Sequence, residues 1–363
     1  MTNQPHYIKE LDGLRAFAIL LVIIWHYFLG QTTQETLPQY VWLSLSWSWS
    51  GVDMFFVLSG FLIGRILLFY KDSPNYFKTF YARRVFRIFP PYYILLGGYI
   101  LFHAIGWAAQ FPVLSYGGIP YYAYALYIQN FFMADGFGAN WLAVTWSLAV
   151  EEQFYLLFPL IIYYLPKEKL PKIFLTGILL APIIRAVLGS PQAYVLLPAR
   201  MDALLVGALI AYYYQNGIIS KWIAPHKRML SLITMLVFGL MLSLAFEGSG
   251  KTTGGILNHS LYALLYGLII INILVQQGGA FMRVLANPVL CFIGKISYSV
   301  YLFHQVILLL LTKLVLSKDV PTIERSNDIL VTLLAIACTI AFASLLHFTV
   351  EKPTQKIGRK FSY

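Results

Sequence analysis

Apolar stretches of about 20 residues recur from one end of this sequence to the other, and no other feature limits its fold as strongly. As a helix, a stretch of that length crosses the roughly 30 Å of hydrocarbon in a lipid bilayer. The composition agrees, because 59% of the 363 residues are hydrophobic and 11% are charged, against roughly 25% charged residues in soluble domains. We therefore predict an all-α polytopic membrane protein.

About ten transmembrane helices are predicted, within a single integral membrane domain that covers residues 1–363. The predicted spans are residues 13–30, 51–70, 88–108, 144–165, 170–188, 201–215, 229–246, 256–276, 290–316 and 329–350. A further stretch, YYAYALYIQNFF at residues 121–132, is too short and too polar for a span. We expect this stretch to form one extra re-entrant or interfacial helix.

The positions of the basic residues orient these helices. The chain has a formal net charge of +11, and its lysines and arginines are concentrated in a few short connections, as the positive-inside rule describes for cytoplasmic loops. If residues 121–132 do not cross, the connections that contain Lys71, Lys167 and Lys221 lie on the same side as the basic C-terminal segment. We predict an integral protein of the plasma (inner) membrane with both termini in the cytoplasm. Contacts with membrane lipids are expected, and binding of nucleic acid is not.

Two polar residues interrupt the first apolar run, LRAFAILLVIIWHYF at residues 14–28. Arg15 and His26 share one face of a helix at a separation of about 16 Å along its axis. Such residues need an explanation, because an ionised side chain at mid-bilayer costs roughly 2.5–3.5 kcal/mol. Arg15 alone fits an interfacial anchor, and His26 alone fits a hydrogen bond to a neighbouring helix. Their shared face favours a functional pair.

A basic cluster lies in FYARRVFRIFPPYY, where Arg84 and Arg87 precede two prolines. Their three-residue spacing places both side chains on the same side of a helix. Guanidinium groups bind phosphate in a bidentate manner, so this pair suits a polyphosphate ligand. The same pair also fits a topology signal or a contact with lipid phosphates.

Acidic and aromatic candidates follow in two later spans. The segment TWSLAVEEQFY places Glu151 inside an apolar run, on the same helix face as Ser147. Pairing with a buried arginine is the structural alternative for this glutamate. The segment ISYSVYLFHQ places Tyr298, Tyr301 and His304 at three-residue steps, where they either line a pocket or simply pack.

Several common catalytic signatures are missing from the sequence. It has no GxSxG elbow, no HExxH zinc motif, no glycine-rich phosphate loop and no HxxxxD pair. The two cysteines, Cys291 and Cys338, lie in apolar runs, so we expect neither a disulfide framework nor a bound metal. Histidines, carboxylates and arginines inside a membrane remain, and they support general-base group transfer or proton-coupled transport.

Seven segments, in order along nearly the whole chain, resemble the acyltransferase-3 family of integral membrane acyltransferases. They are ELDGLRAFAILLVIIWHYF, GVDMFFVLSGFLI, ARRVFRIFPPYY, TWSLAVEEQFYLLFP, RMDALLVGALIA, ISYSVYLFHQVI and VEKP. Each segment alone is unspecific, and their common order makes the resemblance specific. Because the sequence ends soon after Glu351, it is similar to a stand-alone form of the family without an SGNH domain.

The resemblance implies acyl-CoA, usually acetyl-CoA, as a donor substrate that arrives from the cytoplasm, with no tightly bound cofactor. His26 is then the expected catalytic base, and Glu151 is expected to orient or recharge the active site. The expected ligands of the donor phosphates are Arg15, Arg84 and Arg87. The residues expected to shape the donor or acceptor cavity are Asp12, Asp53, Ser147, Tyr298 and His304.

The function implied is transfer of an acyl group, usually acetyl, to a hydroxyl of an envelope glycan or its lipid-linked precursor. Lipopolysaccharide O-antigen, capsule and exopolysaccharide precursors are acceptors of that kind. Acylation of a small metabolite such as a macrolide sugar is an alternative with the same chemistry. A proton-coupled membrane carrier, in which His26, Glu151 and His304 relay protons, is the alternative from another class.

Overall fold

A computed structural model of the chain describes residues 7–32, 38–115, 117–246, 253–276 and 278–363. These residues are mostly helical, and no strand occurs among them. A helix satisfies its backbone hydrogen bonds internally, which a spanning segment requires because hydrocarbon offers none. The predicted all-α membrane class is confirmed.

The helices divide into long ones that match apolar runs and short ones in the connections. In the first half of the chain they are α1 (Glu10–Tyr27), α2 (Gln39–Ser46), α3 (Gly51–Phe69), α4 (Tyr76–Ala104), α5 (Pro112–Ser115), α6 (Tyr121–Ala125), α7 (Trp146–Tyr164) and α8 (Leu170–Leu188). In the second half they are α9 (Gln192–Val195), α10 (Leu197–Gln215), α11 (Lys227–Phe246), α12 (Thr253–Val275), α13 (Ala280–Leu285), α14 (Pro288–Leu316), α15 (Ser326–Leu346) and α16 (Lys352–Gly358).

Nine of the described helical segments are long and apolar enough to cross a membrane. They correspond to nine of the ten predicted spans. The tenth prediction, residues 144–165, falls on α7, which has 19 residues but carries Glu151, Glu152 and Gln153 in its middle. By length and composition alone, α7 is therefore not among the helices that could cross a membrane.

Contacts between two connections nevertheless require α7 to cross. Lys71, between α3 and α4, donates from Nζ to the carbonyl oxygen of Leu165 at 2.5 Å, just after α7. Lys167 and Asp72 form an ion pair at 3.2 Å across the same two connections. Of the long helices, α4 and α7 alone lie between them, so α7 must return the chain across the bilayer that α4 has crossed. The structure thus fits ten crossings.

One predicted span begins earlier in the structure than expected, and the predicted non-crossing segment forms two short elements. The third span was predicted to begin at Ile88, but α4 begins at Tyr76 and continues through Pro90 and Pro91. Each proline removes one helical hydrogen bond without ending the helix, so the basic stretch belongs to the helix itself. Residues 121–132 form only the five-residue α6 and a 3₁₀ turn, Gln129–Phe132, neither long enough to cross.

The chain divides into two compact units that alternate along the sequence. The first unit comprises Met1–Val22, Tyr40–Asp72 and Phe154–Lys295, and the second comprises Ile23–Gln39, Ser73–Gln153 and Ile296–Tyr363. In the first unit, α3 packs closely against α10. A Cβ atom on Gly60 would overlap the carbonyl oxygen of Leu204, and one on Gly207 would overlap that of Val57. Glycine at both positions allows the backbones to approach, as is common between membrane helices.

In the second unit, the end of the chain packs against the beginning of α4. Thr79 Oγ1 donates to the carbonyl oxygen of Ser362 at 2.7 Å, and Arg83 donates to that of Phe361 at 3.0 and 2.7 Å. The Arg83 guanidinium also lies 5.2 Å from the ring centre of Tyr363. The C-terminal residues therefore lie on the same side of the membrane as the start of α4.

Candidate active site

Two histidines of the second unit meet where α1 and α14 pack together. His304 Nε2 lies 3.3 Å from His26 Nδ1, and the ring centres are 4.9 Å apart. His304 is fully buried, and His26 is partly exposed. The sequence singled out both residues but did not predict that they form a pair.

The hydrogen bonds of this pair determine which nitrogen of each neutral ring carries the proton. His304 Nδ1 lies 2.7 Å from the carbonyl oxygen of Tyr301, which can only accept, so Nδ1 must donate. His304 Nε2 is then the acceptor of its ring, and His26 Nδ1 must donate to it. The remaining nitrogen, His26 Nε2, is left as a proton acceptor. His304 thus orients His26 as a base, the arrangement in which a third group fixes the tautomer of a catalytic imidazole.

Tyr27 fixes the position of His304 from the other side. Its hydroxyl donates to the carbonyl oxygen of His304 at 2.8 Å, so it accepts from the Thr339 hydroxyl, also at 2.8 Å. Tyr27 is fully buried. Side chains from α1 and α15 therefore hold the α14 backbone at the point where His304 projects.

The predicted stripe on α14 is directed toward α4 and α7. Tyr298 Oη donates to the carbonyl oxygen of Ile88 at 2.9 Å. Tyr301 Oη lies 2.7 Å from Ser147 Oγ and 3.0 Å from the carbonyl oxygen of Val144. The structure therefore brings Ser147, Tyr298, Tyr301, His304 and His26 into one connected arrangement within the second unit.

Glu152, the neighbour of the predicted site residue Glu151, lies near this stripe. Glu152 interacts electrostatically with Arg84 and with Glu151, and both glutamates interact with Tyr298. The Arg84 guanidinium lies 5.7 Å from the ring centre of Phe80. Adjacent carboxylates point about 100° apart on a helix, which gives them different neighbours. Arg87 is partly exposed one turn further along α4.

Two predicted residues lie in the first unit and pair with each other. Arg15 Nη1 and Asp12 Oδ1 form an ion pair at 3.2 Å, at i and i+3 on α1. The hydroxyl of Tyr7 donates to the other oxygen of Asp12. Arg15 and His26 do lie on one continuous helix, as predicted.

Asp53, predicted to shape a substrate cavity, belongs to a buried ion pair of the first unit. Arg200 Nη2 donates to Asp53 Oδ1 at 2.7 Å, and both side chains are 1% exposed. His259 Nδ1 contacts Arg200 Nη1 and lies 3.5 Å from Asp53 Oδ1. The Arg200 guanidinium also lies 5.2 Å from the ring centre of Tyr194. Asp53 Oδ2 has no hydrogen-bond partner among the described residues.

A second ion pair joins α8 to α10 and has more hydrogen bonds than the first. Arg185 Nη2 donates to Asp202 Oδ2 at 2.8 Å, and the Ser260 hydroxyl donates to the same oxygen at 2.6 Å. Arg185 Nε donates to the carbonyl oxygen of Ile256 at 2.8 Å. The sequence reading gave Arg185, Arg200 and Asp202 no role. Their position inside apolar runs could have indicated ion pairing, because a charged residue inside a membrane span usually has a partner.

The VEKP segment also has a structural basis in the second unit. Glu351 is 2% exposed and accepts from Ser299 Oγ at 2.5 Å and from His347 Nδ1 at 2.8 Å. Residues His347–Glu351 form a π-helical turn between α15 and α16. The segment therefore ties the end of α15 to α14. In the described part of the chain, no group of three or more His, Cys, Asp or Glu residues could hold a metal ion.

Sequence comparison places this arrangement in a known family. The model of the family described as "Acyltransferase domain" matches residues 8–348. The chain belongs to that family. The acyltransferase-3 resemblance is thereby confirmed, and the matched range contains the histidine pair, the α14 stripe and the α4 arginines Arg84 and Arg87.

Curated relatives carry names that agree with this family. The O-acetyltransferase OatA of Staphylococcus aureus is 30% identical over 376 residues, which cover 98% of this chain and 58% of the relative. The peptidoglycan O-acetyltransferase OatA of Listeria monocytogenes is 29% identical over 377 residues, which cover 97% of this chain and 56% of the relative. The chain thus spans somewhat more than half the length of these relatives. No solved structure matches it.

Proposed function

We propose that this protein is a membrane O-acyltransferase that moves an acetyl group from acyl-CoA to a hydroxyl of an envelope glycan. The family match and the relatives named O-acetyltransferases support acyl transfer to oxygen. The name of the Listeria relative supports a glycan of the cell envelope as the acceptor class. The donor and the acceptor are parts of the proposal.

The His26–His304 pair is the observation that carries the proposal. A general base must present an unprotonated nitrogen to the substrate, and the hydrogen bonds of the pair leave His26 Nε2 in that state. The distance of 3.3 Å between His304 Nε2 and His26 Nδ1 is long for a hydrogen bond. Hydrogen bonds between catalytic groups are often long in the absence of substrate. Burial of His304 keeps water from competing for the nitrogen that orients His26.

The proposed step is acyl transfer to the acceptor hydroxyl with His26 as the general base. His26 Nε2 removes the proton from the acceptor hydroxyl while the oxygen attacks the thioester carbonyl carbon. The new C–O ester bond forms, the C–S bond breaks, and the thiolate of CoA receives the proton from His26. His304 stabilises the imidazolium because its Nε2 accepts from His26 Nδ1–H throughout. General-base catalysis of this kind contributes typically 10²–10⁴-fold.

The donor is proposed to enter from the cytoplasmic side, where Arg84 and Arg87 would contact its phosphates. Lys71, Asp72 and Lys167 lie in neighbouring connections on one side of the membrane. The chain end lies on the same side as the start of α4. The positive-inside rule assigns this lysine- and arginine-rich side to the cytoplasm, so both termini are proposed to be cytoplasmic.

The test combines a purified protein with a cellular product. The full chain, reconstituted in lipid vesicles, is expected to release CoA thiol from acetyl-CoA when envelope glycan extract is added. Mass analysis of envelope glycans is expected to show the added mass of acetyl groups in place of hydroxyl hydrogens only in cells that carry the gene. Proton movement across the vesicle membrane without CoA release would instead support the carrier alternative and overturn the proposal.

A further inference from the structure

Residues 121–132, which do not cross the membrane, are held tightly against α4 and α7 within the second unit. Tyr92 Oη donates to the carbonyl oxygen of Tyr124 at 2.7 Å, and Tyr93 Oη donates to that of Ala125 at 2.8 Å. From α7, Gln153 Nε2 donates to the carbonyl oxygen of Tyr127 at 2.9 Å. Three side chains thus bind consecutive parts of this short segment, which gives it one defined position.

Tyr127, at the centre of the segment, has an unusual backbone conformation. Its φ angle is +55°, in the left-handed region that non-glycine residues seldom adopt. Its ring stacks on Tyr92, with centres 4.3 Å apart and planes inclined by 26°. Strain of this kind persists where the surrounding structure enforces it, and it is concentrated at functional sites.

Several buried polar atoms in this region have no hydrogen-bond partner among the described residues. They include the hydroxyls of Tyr124 and Tyr127, Oε1 of Gln129 and Oε1 of Glu152, and Tyr127 is 6% exposed. Of these groups, the Tyr127 hydroxyl and the Glu152 carboxylate also interact electrostatically with each other. Burial, assisted by the nearby Glu152 carboxylate, raises the pKa of Tyr127, so its hydroxyl keeps its proton. The Tyr127 phenol and the Glu152 carboxylate are therefore near enough to interact, and both are buried without a hydrogen-bond partner among the described residues.

We propose that Tyr127 and Glu152 form a binding subsite for a hydroxyl group of the acyl acceptor. A hydroxyl both donates and accepts, so it satisfies a carboxylate oxygen with its proton and a phenol O–H with its lone pair. Leaving two such groups buried without partners is unfavourable, and a substrate hydroxyl removes that penalty for both. This inference rests on the proposed acyl transfer and adds two acceptor-binding residues to it.

The subsite explains why the chain carries the segment between α4 and α7. Tyr298 interacts electrostatically with both Tyr127 and Glu152, and it lies on the same α14 stripe as His304. The subsite is therefore continuous with the residues that lead to the histidine pair. Arg84, also near Glu152, limits how much negative charge accumulates there.

The test uses full-length variants that change one atom group each. Tyr127→Phe removes the hydroxyl and Glu152→Gln removes the carboxylate, whereas Tyr164→Phe and Glu168→Gln make the same changes at exposed positions. Three quantities are measured: the thermal midpoint without substrate, the binding of acetyl-CoA to the purified chain, and the O-acetyl content of the cell envelope. The controls are expected to match the wild type in all three.

Tyr127→Phe is expected to keep or raise the thermal midpoint, because the hydroxyl it removes has no hydrogen-bond partner among the described residues. The same variant is expected to lower envelope O-acetylation by about five- to tenfold, the size of one lost hydrogen bond to substrate. Glu152→Gln is expected to lower it further, with acetyl-CoA affinity within twofold of wild type in both variants.

Other results would overturn the inference. A lower thermal midpoint for Tyr127→Phe would mean that the hydroxyl has a structural partner. A tenfold loss of acetyl-CoA affinity would assign the subsite to the pantetheine arm of the donor, and unchanged O-acetylation would remove both residues from substrate binding. A wild-type chain that neither binds acetyl-CoA nor supports O-acetylation would instead overturn the proposed function itself, so the two failures are distinguishable.

Discussion

The ion pairs of α10 in the first unit and the histidine pair of the second unit are built in different ways. In the first unit, Arg200 and Arg185 each donate to a carboxylate, Asp53 and Asp202, and all four side chains are nearly inaccessible. In the second unit, two histidines face each other with no carboxylate between them. The first arrangement compensates full charges inside the protein. The second brings together two imidazoles, which can take up and release protons.

This difference separates residues that hold the fold from residues suited to chemistry. A buried arginine without its carboxylate leaves an uncompensated charge, so each partner depends on the other for stability. A neutral imidazole has a much smaller desolvation penalty than a charged side chain, and it gains or loses a proton readily. We therefore expect substitutions in the first unit's ion pairs to reduce folded protein, and substitutions at His26 to reduce activity.

The largest expected effect is that of His26→Ala on acyl transfer. Loss of the base should lower the rate of acetyl transfer by about 10²–10⁴-fold, while the amount of protein in the membrane stays close to wild type. His226→Ala is the matched control, because His226 is an exposed histidine. Transfer by His26→Ala at a rate comparable to that of the control would exclude His26 as the base. The histidine pair would then have no different role from the buried ion pairs.

The next effect is on stability and concerns Arg200. Arg200→Met leaves Asp53 buried and unpaired, which should destabilise the protein by about 3–5 kcal/mol and strongly reduce folded protein. The double variant Arg200→Met/Asp53→Asn removes both charges and should recover much of that loss. Thermal unfolding in detergent measures both. If the double variant is no more stable than the single one, the contribution of Arg200 to stability does not come from its ion pair with Asp53.

Asp53 shows where sequence reasoning reached its limit. The family resemblance implied that it shapes a substrate cavity, and the structure places it in a buried ion pair. Its partner Arg200 lies 147 positions away, and without spatial information a buried aspartate that binds substrate looks the same as one that binds arginine. A pairing between distant residues depends on how the helices pack, which no local pattern records.

Helical periodicity, by contrast, predicted the α14 stripe well. Residues 298, 301 and 304 share one helix face because of backbone geometry alone, so their common direction needed no tertiary information. The same geometry applied to α7 was less decisive, because Glu151 and Glu152 are adjacent and point in different directions. Which glutamate faces Arg84 depends on the rotation of α7, and the prediction named Glu151 of the two. Its role, like those of the other predicted site residues, stays a prediction.

A smaller effect is expected at the proposed donor site. A charge-assisted hydrogen bond to phosphate contributes about 1.5–3 kcal/mol, so Arg87→Ala should weaken acetyl-CoA binding by roughly ten- to a hundredfold. Arg87→Lys should fall between wild type and Arg87→Ala, because lysine keeps the charge but not the planar fork. Arg84→Ala also removes a neighbour of Glu152, which makes Arg87 the cleaner position. Wild-type affinity in the Arg87 variants would leave only a topological role for this arginine.

The smallest expected effect belongs to an ion pair that resembles Arg200–Asp53 in chemistry but not in burial. Lys167 and Asp72 lie 3.2 Å apart, with side chains 48% and 83% exposed. Water screens such pairs, and they contribute about 0–1 kcal/mol. Asp72→Asn should therefore shift the thermal midpoint by no more than a degree or so, and raised salt should diminish even that shift. A destabilisation as large as that of Arg200→Met would show that burial is not what separates the two ion pairs, because the exposed pair would then depend on its partner as strongly as the buried one.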